Sequence, residues 1–275
     1  MDILEPDILI KLIATATVVV IATLVAERTS SFVGAMIAAL PISAGPAYLF
    51  IAMDHGTDFL AESALTGVGV NSVMALFLCT TVVLIPRLGI VTGLGIALSI
   101  WAIGSLLILQ ASLGILTSFV LNIAAFPVLA FLSSSYLSHK APPALKFRAS
   151  DIALRAFAVV CVVLAVLTVG KSFGPKAAGL MALVPVVWIS MTIILYTRLG
   201  ADACVAVLAN GILAMFGYCF ALTALHLITL QSGPLAGLSS ALFLSVGWNL
   251  GLMLLRPHIP IYNGRRRRCG AGADQ

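Results

Sequence analysis

From Leu88 to His139 the chain runs 52 residues without a single Asp, Glu, Lys or Arg, and from Ala203 to Leu255 it does so again for 53. As one α-helix the first run would be about 78 Å long, at 1.5 Å per residue. The hydrocarbon core of a bilayer is only about 30 Å thick. Each run is too apolar for water and too long for one crossing. Each must therefore fold back on itself in lipid. Polar turn signals interrupt both runs, Gln110-Ala111-Ser112 in the first and Gln231-Ser232-Gly233-Pro234 in the second.

The rest of the chain obeys the same constraint. Of 275 residues 61% are hydrophobic and 9% charged, against about 25% charged in ordinary soluble domains. Mean hydropathy is +1.15. Such a chain cannot cover a water-facing surface, and every backbone polar group in lipid must be satisfied internally, which selects helices. The expected fold is an all-α polytopic membrane protein. A nucleic-acid-binding domain, a disordered chain and a disulfide scaffold are excluded. The formal charge of +5 resides in loop residues and in the tail Arg265-Arg266-Arg267-Arg268, not in a nucleic-acid-binding patch.

Spans of about 20 residues are expected at 8–26, 31–53, 59–85, 88–109, 113–135, 152–170 and 175–197. Two more lie within 203–255, on either side of the second turn, giving nine. The loop 138–150 carries Pro142-Pro143 and three basic residues. With nine crossings, 12 Lys and Arg fall on one side and 3 on the other (Lys11, Lys171 and Lys176). The basic side is cytoplasmic, so the N-terminus is expected outside and the C-terminus inside. The acidic start, MDILEPD, lacks the positive region of a cleavable signal, so the first apolar run is expected to be retained.

The chain also matches itself at an offset of 144. Asp7-Ile8-x-x-Lys11 falls on Asp151-Ile152-x-x-Arg155, Pro41 on Pro185, Gly56-x-Asp58 on Gly200-x-Asp202, and Gly67 on Gly211. The expected organisation is a first four-helix repeat at 1–110, a linking fifth helix and cytoplasmic loop at 111–150, a second repeat at 151–256, and a basic cytoplasmic tail at 257–275. Five crossings separate equivalent helices, an odd number, so the second repeat is expected to be inverted. Inverted repeats are a common plan of secondary transporters, with the site near the midplane between the halves.

Pro41 and Pro185 fall near the centres of helices 2 and 7, where proline breaks the hydrogen-bond ladder. They read either as packing kinks or as interrupted helices facing a site. Ser43, Gly45, Pro46 and Tyr48 accompany the first, and Trp188, Ser190 and Thr192 the second. Asn71, Asn122, Asn210 and Asn249 sit within apolar spans and read as interhelical hydrogen bonds or as solute contacts. Asp7, Asp58, Asp151 and Asp202 read as helix N-caps. Glu62 lies one turn into helix 3, as an ion or proton site or as a headgroup-level residue. The candidate substrate-binding set is Pro41, Ser43, Tyr48, Asn71, Pro185, Ser190 and Asn210, between helices 2, 3, 7 and 8.

Catalytic groups are sparse. His55, His139, His226 and His258 are scattered, no HExxH, GxSxG or Walker A pattern occurs, and the five cysteines show no zinc spacing. No catalytic residue, metal or cofactor is expected, and the chain does not read as an enzyme. The expected partners are membrane lipids and a small solute. Gly247-x-x-x-Gly251 leaves a homo-oligomer open.

Lys176-Ala-Ala-Gly-Leu-Met-Ala-Leu-Val-Pro185, with Lys171 before it and the Gly200 turn and Tyr218 helix after it, resembles the GlpM-like family of small four-helix bacterial membrane proteins. Ser31-Phe-Val-Gly-Ala-Met-Ile-Ala-Ala-Leu-Pro41 resembles the same motif, but with Ser30-Ser31 where the second half has Gly174-Pro175. The resemblance implies a bacterial inner-membrane protein built as a fused duplication, and carries over no catalytic residue. A fused inverted pair of four-helix units is also similar, at the level of fold, to drug/metabolite transporters, which usually have ten helices. Two functions are expected to compete. One is a transporter or exporter of a small uncharged or amphipathic solute by alternating access. The other is a non-transporting scaffold or assembly factor for envelope polysaccharide or lipid synthesis.

Overall fold

The computed structural model describes residues 6–27, 44–137 and 148–255, with the side chains of the first helix described over 10–21. The described residues form helices and no strands. The helices are α1 (Pro6–Glu27), α2 (Ala44–Asp54), α3 (Thr57–Ala111), α4 (Ile115–Leu132), α5 (Ala149–Phe173), α6 (Pro175–Ala182), α7 (Val186–Ser232) and α8 (Pro234–Leu255), with a short 3₁₀ turn at Ser134–Tyr136. Five stretches are long and apolar enough to cross a bilayer. In α8 only 11% of the most apolar window is buried within the protein. A helix so apolar and so exposed requires lipid around it. The chain is a helical membrane protein.

The 55 residues of α3 do not form a rod. Gly89 has φ 78° and ψ 171°, a combination essentially confined to glycine, and the two arms, 57–88 and 90–111, fold against each other. A Cβ on Gly93 would press on the backbone of Ile85, one on Gly104 on Val73, and one on Gly69 on Ile108. These pairs run in opposite order along the arms, as an antiparallel helical hairpin requires. Ser112, at φ 45°, ends the second arm at the turn expected there. Gly200 (φ 83°) bends α7 in the same way, and Gly233 (φ 86°) turns it into α8. The two long uncharged runs thus fold back, as their length demands.

The contacts repeat at a separation of 144. Gly89 and Gly233 are 144 residues apart and share one backbone conformation. The contact of Ile85 with Gly93 recurs as Thr229 with Gly237. The contact of Val73 with Gly104 recurs as Gly217 with Trp248, with the large and the small residue exchanged. Lys11 of α1 pairs with Asp54 at the end of α2, and Asp151 of α5 pairs with Arg198 at the end of the first arm of α7. Arg198 is the counterpart of Asp54, but Asp151 stands one turn before Arg155, the counterpart of Lys11, so this ion pair links the equivalent two helices without repeating at 144.

The centre is where the 57–88 arm of α3 meets the 201–232 arm of α7. Ala61 lies against His226, Gly67 against Leu222, and Asn71 against Met215. As one number rises the other falls, so the arms pack antiparallel. The linker helix α4 lies over both. Asn122 donates to Val68 O at 2.7 Å, while Phe126 and Phe119 pack on Phe216 and Phe220.

Two local readings need correction. Asp58 and Asp202 do not cap their helices. The N-cap of α3 is Gly56, without a side-chain bond, and Asp58 lies in the first turn, where an acid meets the positive end of the helix dipole. Asp202 likewise follows the Gly200 bend by two residues. Asp151 is the third residue of its helix and accepts from Arg148 N at 2.8 Å, closing a capping box from the other end.

Candidate functional site

Helix 7 of the sequence reading is broken. α6 ends at Ala182, α7 begins at Val186, and Pro185 occupies the N-cap position. The break is handled locally. Val184 N donates to Met181 O at 3.2 Å and Val186 N to Val184 O at 2.8 Å. The Met181 carbonyl, which Pro185 has no N–H to satisfy, is thus taken up by the tightened turn.

Gly67 gathers the elements around the break. A Cβ there would overlap the Tyr48 hydroxyl of α2, and would sit 3.0 Å from Leu183 in the break and 3.5 Å from Leu222 of α7. Only a glycine lets three other chain segments approach α3 at this point. Just above, Gly179 of α6 packs directly on the carbonyl of Ser63. Ser63 Oγ donates to Pro175 O at 3.0 Å, and the Tyr48 hydroxyl reaches Ser63 O at 3.5 Å. Helices 2, 3, 7 and 8 of the sequence reading converge here.

Beside this point lies a cavity of about 500 Å³, a size that holds a small organic molecule. Its described lining comes from α1 (Val18), α2 (Gly45, Pro46, Tyr48, Leu49), the second arm of α7 (Tyr218, Leu222, Leu225) and α8 (Leu235, Leu238, Ser239, Ala241, Leu242). None of these residues carries a charge. Only the two tyrosines and Ser239 bring polar side-chain atoms. Val18, Leu49, Leu235 and Leu242 are exposed, so the rim is apolar and in a bilayer faces acyl chains. The cavity is an apolar groove.

Of the expected set, Tyr48 lines this groove. Asn71 donates to Asn122 Oδ1 at 2.9 Å and to Met215 O at 3.4 Å. Asn210 bonds Ala206 O and Ser190 bonds Val187 O, each in its own helix. Pro41 and Ser43 lie outside the described residues. Glu62 is half exposed and faces Lys176 at 3.9 Å. His226 Nδ1 lies 2.7 Å from Ala61 O, and since a carbonyl only accepts, that nitrogen carries the proton.

Comparison with other proteins adds no assignment. No protein-family model, curated protein or solved structure matches this chain. The functional reading therefore rests on the groove and on the repeated contacts.

The residues not anticipated are Tyr218, Leu222 and Leu225, and the groove-lining face of α8. Tyr218, Leu222 and Leu225 are spaced by four and three, one face of a helix. That spacing was visible, but most apolar faces in a membrane helix meet lipid or another helix, so spacing alone does not single one out.

Proposed function

We propose that this chain is a bacterial inner-membrane transporter that moves a small uncharged amphiphile by alternating access, built from two inverted four-helix repeats and nine crossings. Its N-terminus lies outside and its C-terminus in the cytoplasm. The observation that carries this reading is the antiparallel crossing of 57–88 with 201–232, centred on residues 144 apart, with a solute-sized groove at the junction of the halves. Equivalent helices that cross antiparallel at equivalent residues are related by an axis perpendicular to both. In a membrane such an axis inverts one half relative to the other, which is the plan on which secondary transporters rock about a site.

The lining narrows the solute. A charged solute would meet no counter-charge among the described lining residues, at a cost of several kcal/mol. An apolar body with one or two hydrogen-bonding groups fits the leucines and the tyrosine hydroxyls. The apolar rim allows entry from the lipid.

The scaffold reading has one observation in its favour. The amide nitrogens of Asn71 and Asn122 are spent on the Asn122 carbonyl oxygen and on backbone carbonyls, leaving Asn71 Oδ1 as the one side-chain oxygen of the pair without a partner, so the centre is largely knit together rather than lined for a polar solute. Efflux of N-phenyl-1-naphthylamine and of a panel of other uncharged amphiphiles separates the two. Cells making the protein should retain less probe than cells without it. Leu238→Trp, which fills the groove, should abolish the difference at equal protein level. No difference for any probe, together with a protein complex that survives purification, supports the scaffold.

A further inference from the structure

The two halves share their hairpin contacts but not the state of their grooves. Shifting the lining by 144 carries Val18 to Val162, Pro46 to Ser190, Tyr48 to Thr192, Leu222 to Leu78, Leu238 to Leu94, and Ala241 to Ala97. Val18 is 47% exposed, whereas Val162 is 6% exposed. Leu238 and Ala241 are half-buried, whereas Leu94 is 8% and Ala97 0% exposed. Ser190 is buried where Pro46 is half-buried, while Thr192 and Leu78 are buried just as Tyr48 and Leu222 are. The inner positions beside the second arm of α3 are thus more deeply buried than those beside α8, while the rim residues Val91 and Ile193 are exposed as Leu235 and Leu49 are.

The hairpins themselves do not account for this difference. Ile85 meets Gly93 as Thr229 meets Gly237, and Val73 meets Gly104 as Gly217 meets Trp248. The two hairpins thus share these packing contacts. What differs, among the described residues, is how deeply Val162, Ser190, Leu94 and Ala97 are buried compared with Val18, Pro46, Leu238 and Ala241. Two such equivalent sets of residues permit a second arrangement with the roles exchanged, since packed interfaces switch between discrete arrangements rather than deform continuously.

We propose that the residues around Leu78, Leu94, Ala97, Ser190 and Thr192 form a second solute groove, closed in this structure, that opens as the groove at Tyr48 closes. This rests on the transport reading and assigns the residues that receive the solute on the other side. The chemistry is compatible with one solute visiting both. Thr192 and Ser190 donate to carbonyls of their own helix, at 2.6 and 2.9 Å, so their oxygens are left as acceptors. The solute class is therefore an uncharged amphiphile that carries an N–H or O–H donor.

Pulsed electron–electron distance measurements on the full-length protein, freed of its native cysteines and held in phospholipid nanodiscs, test this. One label pair bridges the open groove at Leu49 and Leu242, and the other sits at their counterparts, Ile193 and Leu98. Two distances are expected for each pair, with the long one at one groove accompanying the short one at the other. Ala97→Phe wedges the closed groove and should shift both populations several-fold towards the exchanged state. Ala241→Phe holds the open groove apart and should shift them the opposite way. One fixed distance per pair in all three proteins, or both pairs lengthening together, overturns the second groove. If Ala97→Phe does not fold, the unsubstituted protein and Ala241→Phe still decide. Exchange without probe efflux keeps the second groove and removes transport. Efflux with fixed distances does the reverse.

Discussion

The side-chain amide of Asn71 donates to the backbone carbonyl of Met215, 3.4 Å away and 144 residues later in the chain. Under the proposed inversion, residues that touch their own counterparts lie close to the axis relating the two halves. α1 and α5, another equivalent pair, also pack on each other. The crossing is not symmetric in detail, because Asn122 of helix α4 supplies the acceptor at 2.9 Å for the same amide. The linker thus fastens the crossing from one side.

That fastening has a measurable strength. Hydrogen bonds between membrane helices contribute about 0.6 kcal/mol on average and up to about 1.7 kcal/mol. Asn71 and Asn122 are fully buried, which favours the upper end. A double-mutant cycle on Asn71→Ala and Asn122→Ala, read by unfolding in mixed micelles, should give a coupling of roughly 1 kcal/mol or more. A coupling near zero would mean that the pair contributes nothing to holding α4 in place.

The exchanged pair of the two hairpins permits a swap. Gly217→Val should overlap the Trp248 ring, which already lies on the Gly217 backbone, and lower stability by about 1–3 kcal/mol, as overpacking does. Trp248→Gly also gives up the indole's bond to Leu213 O and its contacts with Phe216 and Phe220, but the double variant recreates the Val73–Gly104 arrangement of the first half and should lose less than the sum of the two single losses. Two losses that simply add would show that the hairpins are not built alike.

Gly89→Ala and Gly233→Ala place a Cβ on equivalent backbones with φ near 80°. Open space surrounds both positions, so the cost is conformational, of order 1–3 kcal/mol. Similar shifts in thermal unfolding are expected at the two sites. A large shift at one and none at the other would count against equivalent turns.

At the groove, Tyr48→Phe removes a hydroxyl and keeps the ring. Efflux of a donor-bearing amphiphile should fall about fivefold, the equivalent of one hydrogen bond of about 1 kcal/mol, while efflux of a purely aromatic probe should not. Glu62→Gln should leave both unchanged, because that carboxylate is half exposed and faces Lys176 rather than the groove.

Much of the architecture was legible in the sequence. Two uncharged runs of that length permit only hairpins in lipid, and the polar breaks mark their turns. Gly200 and Gly233 could be placed because glycine tolerates the bend. The use of Asn71 was open, since an amide at mid-helix serves a solute or a neighbouring helix equally well until its partner is known. The groove was harder still, because its lining is drawn from four helices that meet only in three dimensions. Tyr48 was within reach as a polar residue beside Gly45 and Pro46. Leu238 and Ala241 were not, as nothing local separates them from lipid-facing residues. The exposed acids were read as caps because aspartate after glycine usually is one, whereas here glycine takes the cap and aspartate the first turn.

Opposite insertion of the two halves is tested most directly at two exposed residues 144 apart, Asp58 and Asp202. Each is replaced by cysteine in a cysteine-free background and treated in intact cells with a maleimide that cannot cross the membrane. Asp58→Cys should be labelled at once, and Asp202→Cys only after the membrane is permeabilised. Equal labelling of both from the same side would contradict the inversion, and with it the two-groove mechanism.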